Sequence, residues 1–279
     1  MNSETPSPDS GASGSTSSIT VRPAVFPDIA RITQVCIKGL PDDPTFDYLW
    51  SHRHEYPDDN YFFWLQRLKA NLFDPRYTML VAVHRENPPL SPSCPQTVAV
   101  ETIIAFALWE RNGSSSAAKK RVRGRNTWSN MLNRNQYPAA CPHPSLSNVQ
   151  LLSGWLTCVE NWSISKNYAR RDVNPKHLAE FQKVMNVVHE QYWEKEYPEN
   201  FHLDLLCTHP DWRRRGAGTM LIEWGINHAR QEGVDVGVES SPMGLPLYES
   251  LSFLLTETKE VQVDGEDEKL LVRVMVKKV

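Results

Sequence analysis

The sequence predicts a mixed α/β domain, a sheet covered by helices, on three observations. Strand-like and helix-like segments alternate through the C-terminal half. The chain ends on two β-forming runs that read as an antiparallel pair. With 279 residues it is long enough for one large domain, and a domain of that size buries roughly 75% of its unfolded surface without needing disulfides or a metal.

The elements follow in order. Residues 1–18 are rich in Ser, Gly, Pro and Thr and read as a disordered leader. Ile19-Thr-Val-Arg22 alternates as a short strand. Pro27-Asp28 opens a helix with Ile29, Ile32, Val35 and Cys36 on one face, and a second helix over Tyr61–Leu72 aligns Phe62, Leu65, Leu68 and Leu72. Tyr77–His84 and Val98–Leu108 are β-forming, and the segment Asn87–Pro95 between them is too proline-rich for regular structure. The two runs read as a hairpin with a lengthened connection. Gly113–Gln150 carries Lys119, Lys120, Arg121, Arg123, Arg125 and Arg134 and no acidic residue. It reads first as a solvated insertion between core elements, with phosphate binding or a nuclear address as alternatives. The expected organisation is one domain over 19–279 with insertions at about 86–97 and 113–150.

Pro175–Lys195 is a long helix, capped by Asn174, opened by Pro175 and striped with Leu178, Phe181, Met185, Val188 and Tyr192. There follow a strand His202–Thr208, a helix Arg215–Glu232, a strand Val234–Ser240, a short helix near Met243–Leu251 started by Ser240 or Ser241 with Pro242, and strands around Leu254–Val263 and Leu270–Lys278.

Composition excludes several classes. Five cysteines (Cys36, Cys94, Cys141, Cys158 and Cys207) lie scattered with no C-x-x-C pair, which argues against a disulfide framework and a zinc site. A reducing, cytoplasmic setting fits, or a nuclear one if the 119–125 run is an address. The leader lacks the apolar stretch of a signal peptide, and no run of 18 apolar residues predicts a membrane span. The basic run lacks aromatic interleaving beyond Trp128 and Tyr137, so nucleic acid is a weak candidate partner. Net charge, −3, is uninformative.

The chemistry-bearing motif is Arg213-Arg-Arg-Gly-Ala-Gly218, set between a strand and a helix. Glycines at 216 and 218 let backbone N–H groups approach an anion, the following helix offers its positive end, and three arginines add charge. A dinucleotide fold would need a third glycine and an early position, and a P-loop would need G-K-[ST]; both are absent.

The order strand, Leu206-Cys207-Thr208-His209-Pro210, then Arg213 with Gly216 and Gly218, resembles the GNAT acetyltransferase superfamily and its [QR]-x-x-G-x-[GA] motif. The resemblance covers about residues 200–255 and extends to the hairpins before them; 109–174 match nothing in it. It implies a mostly antiparallel central sheet with helices on both faces, and acetyl-CoA as co-substrate with no metal. The backbone of Leu206, Cys207 and Thr208 would pair with the pantetheine arm at a bulged, splayed strand. Arg213, Arg214, Arg215, Gly216, Ala217, Gly218 and Thr219 would surround the pyrophosphate.

Leu247-Tyr248-Glu249-Ser250-Leu251-Ser252-Phe253 resembles the family's element whose tyrosine lies near the CoA sulfur, with Ser252 where a glycine is usual. The resemblance implies Tyr248 as general acid to the departing thiolate, a role a phenol protonated at neutral pH can fill. His202 and Asp204 alternate on one strand face. They stand where the arylalkylamine branch has two histidines, which implies a His–Asp proton relay or, equally, two pocket-lining residues. Cys207 as nucleophile would need a depressed pKa and is disfavoured; His209 reads as structural.

For the acceptor, the resemblance points to the N-terminal helices and the loop between them, about Leu40–Phe63. That stretch mixes Asp42, Asp43, Asp47, Asp58 and Asp59 with Phe46, Tyr48, Trp50, Tyr56, Tyr61 and Phe62. It suits a cationic or aromatic amine, or else forms a solvated acidic loop over an aromatic core. A small-molecule amine is the first expectation and a protein amine the second; a non-catalytic acyl-CoA sensor or scaffold is the rival from another class.

Overall fold

A computed structural model describes residues 18–74, 76–86, 100–119 and 170–279. The leader except Ser18, the proline-rich connection and nearly all of the basic insertion lie outside the described residues.

Seven strands form one sheet in the order β1-β2-β3-β4-β5-β7-β6. They are β1 (Ser18–Pro23), β2 (Tyr77–Glu86), β3 (Val100–Asn112), β4 (Asn200–Thr208), β5 (Asp235–Ser240), β6 (Leu254–Gln262) and β7 (Lys269–Lys277). Every neighbouring pair is antiparallel except β4 and β5, which run parallel. β2 and β3 pair directly, Tyr77 opposite Glu110, as the hairpin reading required.

Helices cover both faces. α1 (Ile29–Gly39), α2 (Pro44–Leu49), α3 (Pro57–Phe73) and α4 (Pro175–Val188) pack on one; α5 (Ala217–Glu232) and α6 (Leu245–Ser250) pack on the other. The central strands are buried from both sides, so alternate side chains serve different cores. Met79, Val81 and Val83 of β2 meet α1 and α3, while Leu80 and Ala82 meet α5. This double burial is why β2 reads as a continuous apolar run rather than an alternating one.

Several boundaries differ from the sequence reading. The helix expected to run to Lys195 ends as α-helix at Val188 and continues as a π-helical segment, His189–Glu196, which turns Tyr192 and Trp193 into a third small core with Val274 and Val276. α2 was not anticipated; six residues opened by Asp43, whose carboxylate accepts from the Thr45 N–H at 2.9 Å, are too few to show a helical period. α6 begins at Leu245 rather than at Ser241-Pro242, because Ser241 and Pro242 belong to the turn that precedes it and Gly244 is the capping residue.

Candidate active site

β4 and β5 pair only from Asn200 to Leu203 against Asp235 to Val238. Beyond that point β4 continues to Thr208 bonded to β3 alone, and β5 continues to Ser240 bonded to β7. The two strands therefore part after Leu203 and Val238. A bulge sits at the parting: Leu203 faces Trp109 and Leu205 faces Leu108, leaving Asp204 as the extra residue. Half the backbone groups of 205–208 face the gap with no strand partner among the described residues. The bulge lies two residues earlier than the sequence reading set it.

The N-terminus of α5 faces the far end of this gap. Gly216 has φ +84° and Arg214 φ +61°, a left-handed path that turns the loop sharply into the helix. No side chain caps Gly216, so the first N–H groups of α5 remain available to an anion. A Cβ at Gly216 would meet nothing within 4 Å, so this glycine answers to backbone conformation and the space above it is open. Gly218 is different: Leu206, Thr208 and Leu247 close around it, with Leu247 Cδ2 3.3 Å from where a Cβ would stand. Strand gap, left-handed turn and open helix end fit a thioester arm ending in a diphosphate.

The three arginines of the loop divide their work. Arg213 donates to the Gly39 carbonyl at 2.8 Å and pairs with Asp42, tying the loop to the end of α1. Arg215 stacks over the Trp212 ring at 4.6 Å. Arg214 is exposed.

Tyr248, on α6, is buried in the core that α6 shares with α5, its ring edge-on to Phe253 at 5.5 Å. Burial pushes its phenol well above the ordinary value, and the charges of Asp43 and Glu239 push the same way, so it stays protonated across the physiological range. Cys207 is buried and pushed up to about 12 by burial, only partly offset by Arg213; its thiol donates to the Val35 carbonyl at 3.4 Å. That environment is the opposite of a nucleophile's. The His209 ring accepts from the Asp211 N–H, capping the 3-10 turn Pro210–Trp212.

His202 and Asp204 share the face toward α3 and the π-helical segment, yet the direct partner of His202 is neither Asp204 nor any residue the sequence singled out. Its Nε2 lies 2.7 Å from Glu239 Oε2 on β5, and the Trp193 indole donates to the other Glu239 oxygen. Burial alone would depress the imidazole; the Glu239 carboxylate outweighs it, with Asp204 and Glu110 adding, and the pKa rises to about 9. Asp204 instead lies 3.4 Å from Arg67 of α3. Glu110, across from His202 on β3, is raised by its own burial. The one sequence cue to Glu239 was an acidic residue in a short buried strand.

The acidic, aromatic stretch resolves mostly into structure. Asp42 pairs with Arg213, Asp47 with Arg53, and Asp59 makes a two-pronged contact with Arg171 at 2.8 and 2.9 Å. Asp43 caps α2 and Asp58 is exposed. Phe46, Tyr48 and Trp50 are buried, Phe46 and Trp50 stacking on each other and on Trp64.

Sheet order, strand parting and glycine turn together define a mixed α/β sheet with a strand gap that opens onto an uncapped helix N-terminus. Residues 175–267 match the family model described as the acetyltransferase (GNAT) domain. A protein of Stachybotrys chartarum (strain CBS 109288 / IBT 7711) named "Acetyltransferase" is 24% identical over 259 residues, covering 93% of this chain and 90% of that one. Among solved structures, a polyamine N-acetyltransferase of Drosophila melanogaster aligns with a TM-score of 0.50 at 14% identity, over 94% of this chain and all of that one. A structure described as histone acetyltransferase HPA2 and related acetyltransferase, from Corynebacterium glutamicum ATCC 13032, gives 0.48 at 16% identity over 94% and 96%. The chain is thus similar to the GNAT acetyltransferases over residues 175–267.

Proposed function

We propose that the protein is an acetyl-CoA-dependent N-acetyltransferase acting on a primary amine by direct transfer in a ternary complex. The observation that carries this is the parting of β4 from β5 directly before an uncapped, left-handed entry into α5. When bound, acetyl-CoA would supply an activated thioester. Leu206, Cys207 and Thr208 would pair through backbone with the extended arm, and the turn Arg214–Thr219 would hold the diphosphate.

The chain's own groups then have separable tasks. Backbone N–H groups at the parting stabilise the charge that develops on the carbonyl oxygen. An acceptor arriving as an ammonium gives its surplus proton to His202, and through it to solvent. The amine nitrogen forms the new C–N bond as the C–S bond breaks. Tyr248 delivers a proton to sulfur and is restored by the second proton that leaves nitrogen. Because His202 is held charged, the base form grows with pH, and kcat/KM rises from pH 7 toward about 9.

A small cationic amine is the first acceptor in this reading and a protein amine the second. Two relatives in fold, described as a polyamine N-acetyltransferase and an agmatine N-acetyltransferase, act on such molecules. A cytoplasmic setting belongs to the same reading. The test is free-thiol release from acetyl-CoA against a panel of polyamines and arylalkylamines, with wild type and Tyr248→Phe. Turnover that falls in the variant while CoA binding persists supports the reading. Tight CoA binding with no turnover on any small amine replaces it with a protein acceptor or a sensor.

A further inference from the structure

The groups around His202 form a buried chain that links the π-helical segment, β5 and β4. Trp193, on the π-helical segment, donates its indole N–H to one oxygen of Glu239, and the other oxygen holds His202 Nε2 at 2.7 Å. The indole stands 5.1 Å from the imidazole, centroid to centroid. Its six-membered ring packs on Gly237, where a Cβ would come within 2.3 Å of it, so the seat of Trp193 requires glycine at that position. Glu239 is itself held below the usual carboxylate range: burial opposes this, but His202 and the indole outweigh it. Each member of the chain thus fixes the next: Gly237 seats Trp193, Trp193 orients the carboxylate, and the carboxylate orients the imidazole.

With Nε2 committed to an acceptor-only carboxylate, Nε2 must carry the hydrogen in the neutral ring. Nδ1 then bears the lone pair, and it has no hydrogen-bond partner among the described residues. We propose that Trp193 and Glu239 are positioning residues that fix the imidazole of His202 in the tautomer whose Nδ1 accepts the acceptor amine's proton. The proposal rests on the assignment of His202 as base. It also separates the two carboxylates near the ring: Glu239 orients, and Asp204, engaged with Arg67, does not.

The other charged groups facing this site are known. Asp204 lies on the same strand with Arg67 opposite it from α3; Glu110 faces from β3 with Arg76 at 3.8 Å, and His189 of the π-helical segment acts on Glu110. Asp204 and Glu110 remain in place when Glu239 is neutralised. A Glu239→Gln change therefore isolates the effect of the partner that touches the ring.

The test uses the full chain and two readouts. The pH dependence of kcat/KM for the amine is measured for wild type, Glu239→Gln and Trp193→Phe, and the His202 imidazole is titrated by NMR in each without substrates. In Glu239→Gln the NMR titration and the acidic limb of the rate profile both move to lower pH, by about one unit or more. In Trp193→Phe, kcat falls on the order of tenfold while acetyl-CoA affinity holds. A titration that does not move overturns the pairing itself. A titration that moves while the rate profile stays fixed overturns the base assignment, and the positioning role with it. Should Glu239→Gln not fold, an unchanged kcat in Trp193→Phe overturns the proposal alone.

Discussion

Gly39, the last residue of α1, is pressed against Cys207 of β4: a Cβ at 39 would stand 2.4 Å from the Cys207 Sγ and 2.8 Å from the Thr208 carbonyl oxygen. The Cys207 thiol meets the Val35 carbonyl of the same helix, and Arg213 reaches back to the Gly39 carbonyl. The end of α1, the open edge of β4 and the glycine turn are therefore one packed unit. Whatever moves the helix moves the edge.

Gly39→Ala tests that unit. The Thr208 oxygen is backbone and yields only if the strand shifts, so overpacking of about 1–3 kcal/mol is expected. In a chain of this size each kcal/mol lowers Tm by roughly 2–4 °C. Calorimetry should show the drop, and titration with acetyl-CoA should show weaker binding, because the edge at 205–208 is displaced. Unchanged Tm and affinity would separate the helix from the site.

Arg213→Gln distinguishes two uses of the same residue. Family resemblance implies a phosphate contact, whereas the guanidinium here is committed to Gly39 and Asp42. The expected result is a rise of several-fold in the amine KM, as the α1–α2 loop loosens, with a smaller change in acetyl-CoA affinity. Steady-state kinetics with each substrate varied in turn decides; a loss confined to acetyl-CoA would return Arg213 to the phosphate.

Glu199 offers a pH test away from the site. Burial opposes its charge, but it accepts from Ser115 Oγ, Arg111 and the Ser114 and Ser115 N–H groups, and is lowered to about 2. A carboxylate depressed on folding stabilises fully above its unfolded value near 4.3 and loses that contribution as pH falls toward 2. Thermal melts between pH 7 and pH 3 should therefore converge for wild type and Glu199→Gln, with wild type more stable at pH 7. Parallel curves would contradict the assignment.

The glycine turn into α5 and the short helix that carries Tyr248 were legible because both are local: glycines at 216 and 218 after a strand, and a tyrosine in a short helical motif, need only neighbours in sequence. The His202–Glu239 pair was not. It depends on the parallel register of β4 against β5, which places His202 opposite Gly237, and no alternation pattern encodes a parallel register. The acidic stretch left two readings open, a site for a cationic amine or a solvated loop over an aromatic core. Asp42 and Asp59 find their arginines at positions 213 and 171, so acids that read as free for a cationic ligand are spoken for by distant residues. The change from α- to π-helix at His189 also escaped, since the apolar stripe through Tyr192 continues across it.

The central claim is that the gap between β4 and β5 and the N-terminus of α5 hold an acyl-CoA. The most direct measurement is calorimetric titration of acetyl-CoA into wild type and Thr219→Asp. Position 219 is in the first turn of α5, where a carboxylate favours the helix itself, so the variant should fold while its charge repels a diphosphate. Saturable micromolar binding by wild type, weakened about tenfold or more in the variant, is the expected result. No binding by wild type, or equal affinity in both proteins, would contradict the claim.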